Sequence, residues 1–336
     1  MFKNSKTNNL IRLIILCLSL SFLACKENQP ERKPIKQNSI TIAENPFKKV
    51  DSAVLSSGSL YRIDDFKSEF VSPRNIDIWL PDNYSSKKSY QILLMHDGQM
   101  LFDSTTTWNK QEWGVDETLT RLMKTDSIKP TIVVSTWNVS EDRHSDYFPQ
   151  KPFENLYDQV QQNLIEFNTS NSDRLFKKLP NSDAYLKFLV KEVIPMVETY
   201  YPISKQPQSY TVAGSSMGGL ISFYALCEYP DIFGQAICMS THWPGAMSYE
   251  NNPFPQAFFN YLDQKLPELN DHKFYFDFGT ETLDELYPQY EDEVKKRFTK
   301  HGFDESHFKQ LKFEGDAHDE KSWRNRLHIP LKFTLK

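Results

Sequence analysis

Gly214-Ser-Ser-Met-Gly218 is a G-x-S-x-G sequence set between the apolar run 210–213 and a stretch with helical spacing over 220–229. Between a strand and a helix, such a sequence makes a turn sharp enough to lift the central hydroxyl clear of the sheet edge. The helix that follows aims its first N–H groups at the same place. Ser216 is therefore the candidate nucleophile, and glycine is expected two residues to either side because the turn is so tight. The bland alternative is a glycine-rich connection without chemistry, and the patterns on both sides weigh against it. A serine hydroxyl attacks a carbonyl only when a base takes its proton and a third group orients that base. The chain must then supply a histidine and an acid.

The elements that would position them are legible as hydrophobic periods. Residues 60–63 and 75–80 read as early strands, the second alternating Ile76, Ile78 and Leu80 with polar residues before Pro81-Asp-Asn83 turns the chain. Residues 91–95 form a continuous apolar run, as in a strand covered on both faces, and Thr131-Ile-Val-Val-Ser135 reads as the next buried strand. Helical spacing occupies 115–123 and 184–200, the latter with Ser182 or Asp183 as a cap. Strands follow at 235–239, 273–278 and 308–313, a helix at 284–298, and a final helix at 323–333. This alternation argues a mostly parallel sheet with helices on both faces and an antiparallel pair at its starting edge, the α/β-hydrolase layout. Residues 138–181 are polar, studded with aromatics and weakly periodic. A stretch of that length without structure is uncommon unless functional, so a partial cap is expected there.

In this layout the acid and then the histidine follow the nucleophile in chain order. His242 comes at the end of the very next strand, and His272 at the wrong end of another. His301 lies at a helix end, His307 opens the last strand, and His328 sits within the final helix. His318 lies in the loop beyond the last strand, in Glu314-Gly-Asp-Ala-His318, where the base belongs. The acid belongs after 273–278, in Gly279-Thr-Glu-Thr-Leu-Asp284. Asp284, favoured, and Glu281 both qualify, although Asp284 could equally serve a helix start. Asp316 reads as a turn residue. An oxyanion needs two backbone donors, one from Met217 after the nucleophile and one from the loop Asp97-Gly-Gln99, where Gln99 is the choice. Six of the 11 glycines fall in these four loops, where backbones must approach closely. Trp137, Asn138, Arg143, His242 and Trp243 follow strand ends and are expected at the pocket. Either indole could stack on a sugar or an aromatic acyl group, or simply pack; Arg143 could meet a substrate carboxylate or phosphate, or make a surface salt bridge.

Leu94-Met-His-Asp-Gly-Gln-Met-Leu-Phe102, Trp113-Gly-Val-Asp116, the 214–219 turn, and Phe276-Asp-Phe-Gly-Thr280 with Leu283-Asp284 resemble an esterase group of the α/β-hydrolases. That group takes in esterase D-like, feruloyl, acetyl-xylan and enterochelin esterases and the mycolyltransferases. The resemblance runs from residue 75 to the C-terminus. It implies a serine esterase without metal or cofactor, working through an acyl-enzyme. It gives Ser216, His318 and Asp284 the triad roles and Gln99 and Met217 the oxyanion roles. The expected substrate is an acylated carbohydrate or a similar exported or imported ester. A siderophore ester, acyl transfer to a sugar or lipid, and a non-catalytic binding lipoprotein are the alternatives.

Composition narrows the setting. With 336 residues and a formal charge of −5, the chain offers no basic field for nucleic acid. No histidine pair has helical ligand spacing and no cysteine cluster exists, so metal catalysis has little support. Lys3, Lys6 and Arg12 precede the apolar run 13–23, which is too short for a permanent span. Ser21-Phe-Leu-Ala-Cys25 resembles a bacterial lipobox with Phe22 in place of the usual leucine. The expected organisation is a lipoprotein signal over 1–24, a flexible tether over 25–50 beginning at a lipidated Cys25, and an esterase domain over 51–336. The anchored protein would then sit on a bacterial membrane, facing the periplasm or the cell surface; plain secretion is the alternative. Cys227 and Cys238 are expected to be buried free thiols.

Overall fold

Runs of apolar residues without interruption become the middle of the sheet. In the computed structural model, which describes residues 44–166, 176–246 and 251–336, nine strands form one sheet. They are β1 (Lys48–Lys49), β2 (Ser59–Phe66), β3 (Arg74–Leu80), β4 (Gln91–Met95), β5 (Thr131–Thr136), β6 (Tyr210–Ser215), β7 (Gln235–Met239), β8 (Lys273–Phe278) and β9 (Phe308–Lys312). Their order is β1-β2-β3-β5-β4-β6-β7-β8-β9. The first three junctions are antiparallel and the rest parallel, so this is the mixed-edge α/β-hydrolase sheet. Period-two alternation divides the core: Ile92 and Leu94 face one layer of packed side chains, Leu93 and Met95 the other.

Several boundaries differ from expectation, each for a local reason. The expected signal segment with Cys25 lies outside the described residues, as does the tether up to residue 43. The compact unit begins at Asn45 rather than 51, because Phe47 is buried against Tyr201 and β1 pairs with β2. The helix beginning at 182 is not capped by its own first residues: the Ser182 hydroxyl accepts the Gln150 N–H and Asp183 accepts the Tyr224 hydroxyl. The expected helix over 284–298 is broken. Asp284 lies in a 3₁₀ turn, Thr282–Leu286; a second turn starts at Pro288, and the α-helix is Glu291–Lys300. Proline at 288 has no N–H to continue the hydrogen-bond ladder.

The 138–181 excursion folds into short helices, Arg143–Tyr147, Gln150–Glu154 and Asp158–Ile165, with 167–175 outside the described residues. Tyr147, Phe148, Phe153 and Phe176 are buried, whereas Tyr157 is exposed. Phe148 meets Phe254 edge-on at 4.5 Å and Phe176 at 5.1 Å, so the segment is a flank of the core. A buried ion pair fastens it to the antiparallel edge, the Arg74 guanidinium donating to Asp146 at 2.8 Å. Cys227 and Cys238 are buried and free.

At the turn after β6, Ser216 adopts φ 58° and ψ −122°, with its N–H on the Met239 carbonyl at 2.9 Å. The helix Met217–Glu228 follows at once. A Cβ on Gly214 would stand 2.7 Å from the Gly218 backbone, which leaves no room for one. A Cβ on Gly218 would meet the Asp97 carboxylate at 3.5 Å and the His96 Cβ at 3.7 Å, both ordinary contacts. The expectation of obligatory glycine therefore holds at 214 and fails at 218.

Three substitutions test these contacts by thermal unfolding. Gly214→Ala should destabilise by about 1–3 kcal/mol, whereas Gly218→Ala should leave the melting temperature unchanged or raised. Arg74→Met strands the Asp146 carboxylate without its partner and should cost about 3–5 kcal/mol; a melting curve that overlays wild type would contradict that role.

Candidate active site

Each residue of the site stands on the carboxyl end of a parallel strand or the loop beyond it. Ser216 and His318 line a common cavity of about 340 Å³, together with Asp97, Gln99, Met100, Asn138 and Arg143. His318 is fixed from several directions. Its N–H donates to the Thr282 hydroxyl at 2.9 Å, and its ring meets the Trp323 indole edge-on at 5.0 Å. Its Nδ1 lies 2.5 Å from Oδ1 of Asp284.

Asp284 is fully buried, and its second oxygen is engaged as well. Oδ2 accepts the Gly279 N–H at 2.5 Å and the Ser240 hydroxyl at 2.7 Å. Glu281, the competing acid, is exposed on the outer side of the same turn. Of the two, Asp284 is the carboxylate in contact with His318.

Gln99 lies in a single 3₁₀ turn, Gly98–Met100, entered through Asp97 at φ 56°. Its side-chain carbonyl accepts the Asn138 N–H at 3.2 Å, which ties the turn to the end of β5. Met217 is the first residue of its helix, where an N–H has no partner within the helix. Asp97 does not face the cavity as a bare charge. Arg143 binds it through two parallel hydrogen bonds, at 2.9 and 2.7 Å, and the Asn138 amide donates at 2.7 Å. Burial would raise the Asp97 pKa, but the guanidinium outweighs it and holds the carboxyl below its usual range. Burial also lowers the neighbouring His96 to about 4, leaving a neutral imidazole on the Tyr185 hydroxyl at 2.8 Å.

The expected substrate-contact residues divide. Asn138 and Arg143 line the cavity, although Arg143 is already paired. Trp137 turns away: its indole donates to Asp77 at 2.8 Å and lies under the Arg62 guanidinium at 4.4 Å. Trp243 is a core residue, 5% exposed and packed among Phe223, Phe259 and Phe276. His242 is buried too, with its pKa lowered by burial to about 3 and its Nδ1 on the Tyr287 hydroxyl at 2.8 Å. Sequence reasoning missed Trp108, Trp113, Ser140, Glu320 and Trp323, all of which line the cavity. Trp108 is 84% exposed at its rim. Its flanking Asp103-Ser-Thr-Thr turn signal marked a loop but not which way the loop would face.

A cluster of acids lies outside this site. Glu112, Asp116 and Glu117 come together, and the Arg324 guanidinium already pairs with Glu112 and Glu117. This arrangement is an ion-pair network that holds the 56–57 loop through the two N–H groups on Asp116.

The family model described as "Putative esterase" matches residues 68–329. Among curated proteins, YbbA of Bacillus subtilis (strain 168) is 37% identical over 67 residues, 20% of this chain and 25% of that protein. YjcH of the same organism is 20% identical over 178 residues, 53% of this chain and 59% of that protein. The chain thus aligns with less than two thirds of either. Among solved structures, a ferulic acid esterase from Anaeromyces mucronatus, in complex with ferulic acid, superposes with a TM-score of 0.57 at 17% identity. The match covers 87% of this chain and 95% of that one. The enterobactin esterase of Shigella flexneri gives 0.54 at 16% identity, over 86% of this chain and 61% of that one. These likenesses establish the fold, and the family match over most of the chain establishes the membership: this chain belongs to the esterase family.

Proposed function

We propose that the protein is a serine carboxylic-ester hydrolase in which Ser216, His318 and Asp284 act as nucleophile, base and orienting acid. The observation that carries this reading is the His318–Asp284 contact of 2.5 Å on the wall of the cavity that also holds Ser216 at its strained turn. Asp284 fixes the tautomer with Nδ1 protonated, which leaves Nε2 to take the proton of Ser216. The Ser216 oxygen bonds to the ester carbonyl carbon, and the carbonyl electrons move to the oxygen. The N–H groups of Gln99 and Met217 stabilise that oxyanion. Collapse expels the alcohol, which receives the proton from His318. Water then repeats the sequence on the acyl-enzyme and releases the acid.

The substrate we propose is an acylated carbohydrate. An indole exposed at the rim, with Trp113 and Trp323 deeper in the cavity, offers flat apolar faces to a sugar ring or an aromatic acyl group. The neighbouring fold that holds ferulic acid is consistent with the second use. We also propose that Cys25 carries a lipid and anchors the protein to a bacterial membrane, supported by the charged, apolar and Ser21–Cys25 segments in order.

Hydrolysis of p-nitrophenyl acetate should fall about a thousandfold or more in Ser216→Ala, and about a hundredfold or more in Asp284→Asn with little change in KM. Equal turnover in wild type and Ser216→Ala would sink the nucleophile assignment. For the anchor, Cys25→Ser should move the protein from the membrane fraction to the soluble fraction of its host. Retention in the membrane fraction would refute lipidation at Cys25.

A further inference from the structure

Ser240 directly follows β7 and is completely buried, yet it sits at φ 41°, in the left-handed region that favours glycine or asparagine. Its hydroxyl touches three groups. The Trp323 indole N–H lies at 3.0 Å, Nη2 of Arg326 at 2.9 Å and Oδ2 of Asp284 at 2.7 Å. An indole and a guanidinium can only donate, so both lone pairs of the Ser240 oxygen are filled. The single hydroxyl proton then has one place to go, the Asp284 carboxylate. With the Gly279 N–H on the same oxygen, Oδ2 is saturated and Oδ1 is left for His318 alone.

We propose that Ser240 is a positioning residue for the acid–base pair: its hydroxyl, given a fixed direction by Trp323 and Arg326, locks the rotation of the Asp284 carboxylate so that Oδ1 meets His318. The inference rests on the Ser216–His318–Asp284 reading and extends it by one shell. A serine that only filled space here would be a poor choice, since glycine would take this left-handed conformation without the strain a side chain brings. What the side chain supplies in return is an acceptor for two donors and a donor for one acceptor. Trp323 also forms part of the cavity wall and meets the His318 ring, so the indole that shapes the pocket is tied to the Asp284 carboxylate through one oxygen.

The test compares the full-length wild type with Ser240→Gly and Ser240→Ala. Glycine removes the hydroxyl while accepting φ 41° without strain, so it keeps the turn if alanine does not. Each is assayed for p-nitrophenyl acetate hydrolysis and for the far-downfield proton resonance of His318 Nδ1, which reports its bond to Asp284. The proposal expects kcat to fall about tenfold with KM within about twofold, and the resonance to move upfield. Folded variants with wild-type kcat and an unmoved resonance would overturn it. So would a lowered melting temperature and kcat with the resonance unmoved, which would make Ser240 a packing residue only. The resonance needs no turnover. If Ser216→Ala were as active as wild type, the esterase reading would fail while the Ser240–Asp284–His318 geometry was still tested.

Discussion

Three carboxylates converge on one buried guanidinium. Arg326 donates to Asp277 at 3.1 Å and to Asp316 at 2.8 Å, and stands 3.9 Å from Asp284. Burial drives the Asp277 pKa up more strongly than Arg326 draws it down, so the knot is expensive as a contribution to stability. Its effect is to join three separate lengths of chain: the end of β8, the loop carrying His318 and the helix Glu320–Arg326 that follows it. The β8 loop and the His318 loop are pressed together at the same point. The Asp316 carbonyl accepts the N–H groups of Thr280 and Glu281, both at 3.0 Å, and a Cβ on Gly279 would lie 2.1 Å from it. The register between His318 and Asp284 depends on that contact. Any residue but glycine at 279 would push the two loops apart.

The parallel half of the sheet makes such a meeting possible. In spatial order from β5 through β9, the strand ends present Asn138, Gln99, Ser216, Ser240, Asp284 and His318. Residues distant in sequence become neighbours because every parallel strand points its carboxyl end the same way and each crossover returns to the opposite edge. The helix Met217–Glu228 is buried over nearly all its length, so the turn that carries Ser216 is braced by the core. That bracing holds φ at 58° for a residue with a side chain.

Strand positions were legible because apolar stretches, 92–95 in β4 and 132–134 in β5, sit at the centres of strands covered on both faces. Chain order and glycine placement were enough to single out Ser216, His318 and Asp284 as candidates, and the structure sets the last two in contact and Ser216 in the same cavity as His318. Loop direction was not legible. Trp137 and Trp243 both follow strands, as pocket residues do, yet one serves Asp77 and the other fills the core. A tryptophan carries no local signal for which side of a turn it takes; that depends on partners far away in sequence. Trp323 and Ser240 were overlooked for the same reason, since their roles exist only through contacts 83 residues apart. The Asp284 turn was misread as helix because helical periodicity after Glu291 masks the break at Pro288.

Asp97 poses a problem that the structure resolves locally. It immediately precedes the Gly98–Met100 turn whose N–H groups would have to stabilise an oxyanion, and a bare carboxylate there would oppose the developing charge. The two parallel bonds from Arg143, with the Asn138 amide completing the set, convert that charge into an ion pair. The same bonds hold the turn in its left-handed entry. Arg143 is therefore engaged by Asp97, and among the described residues that line the cavity no second arginine and no lysine stands beside it.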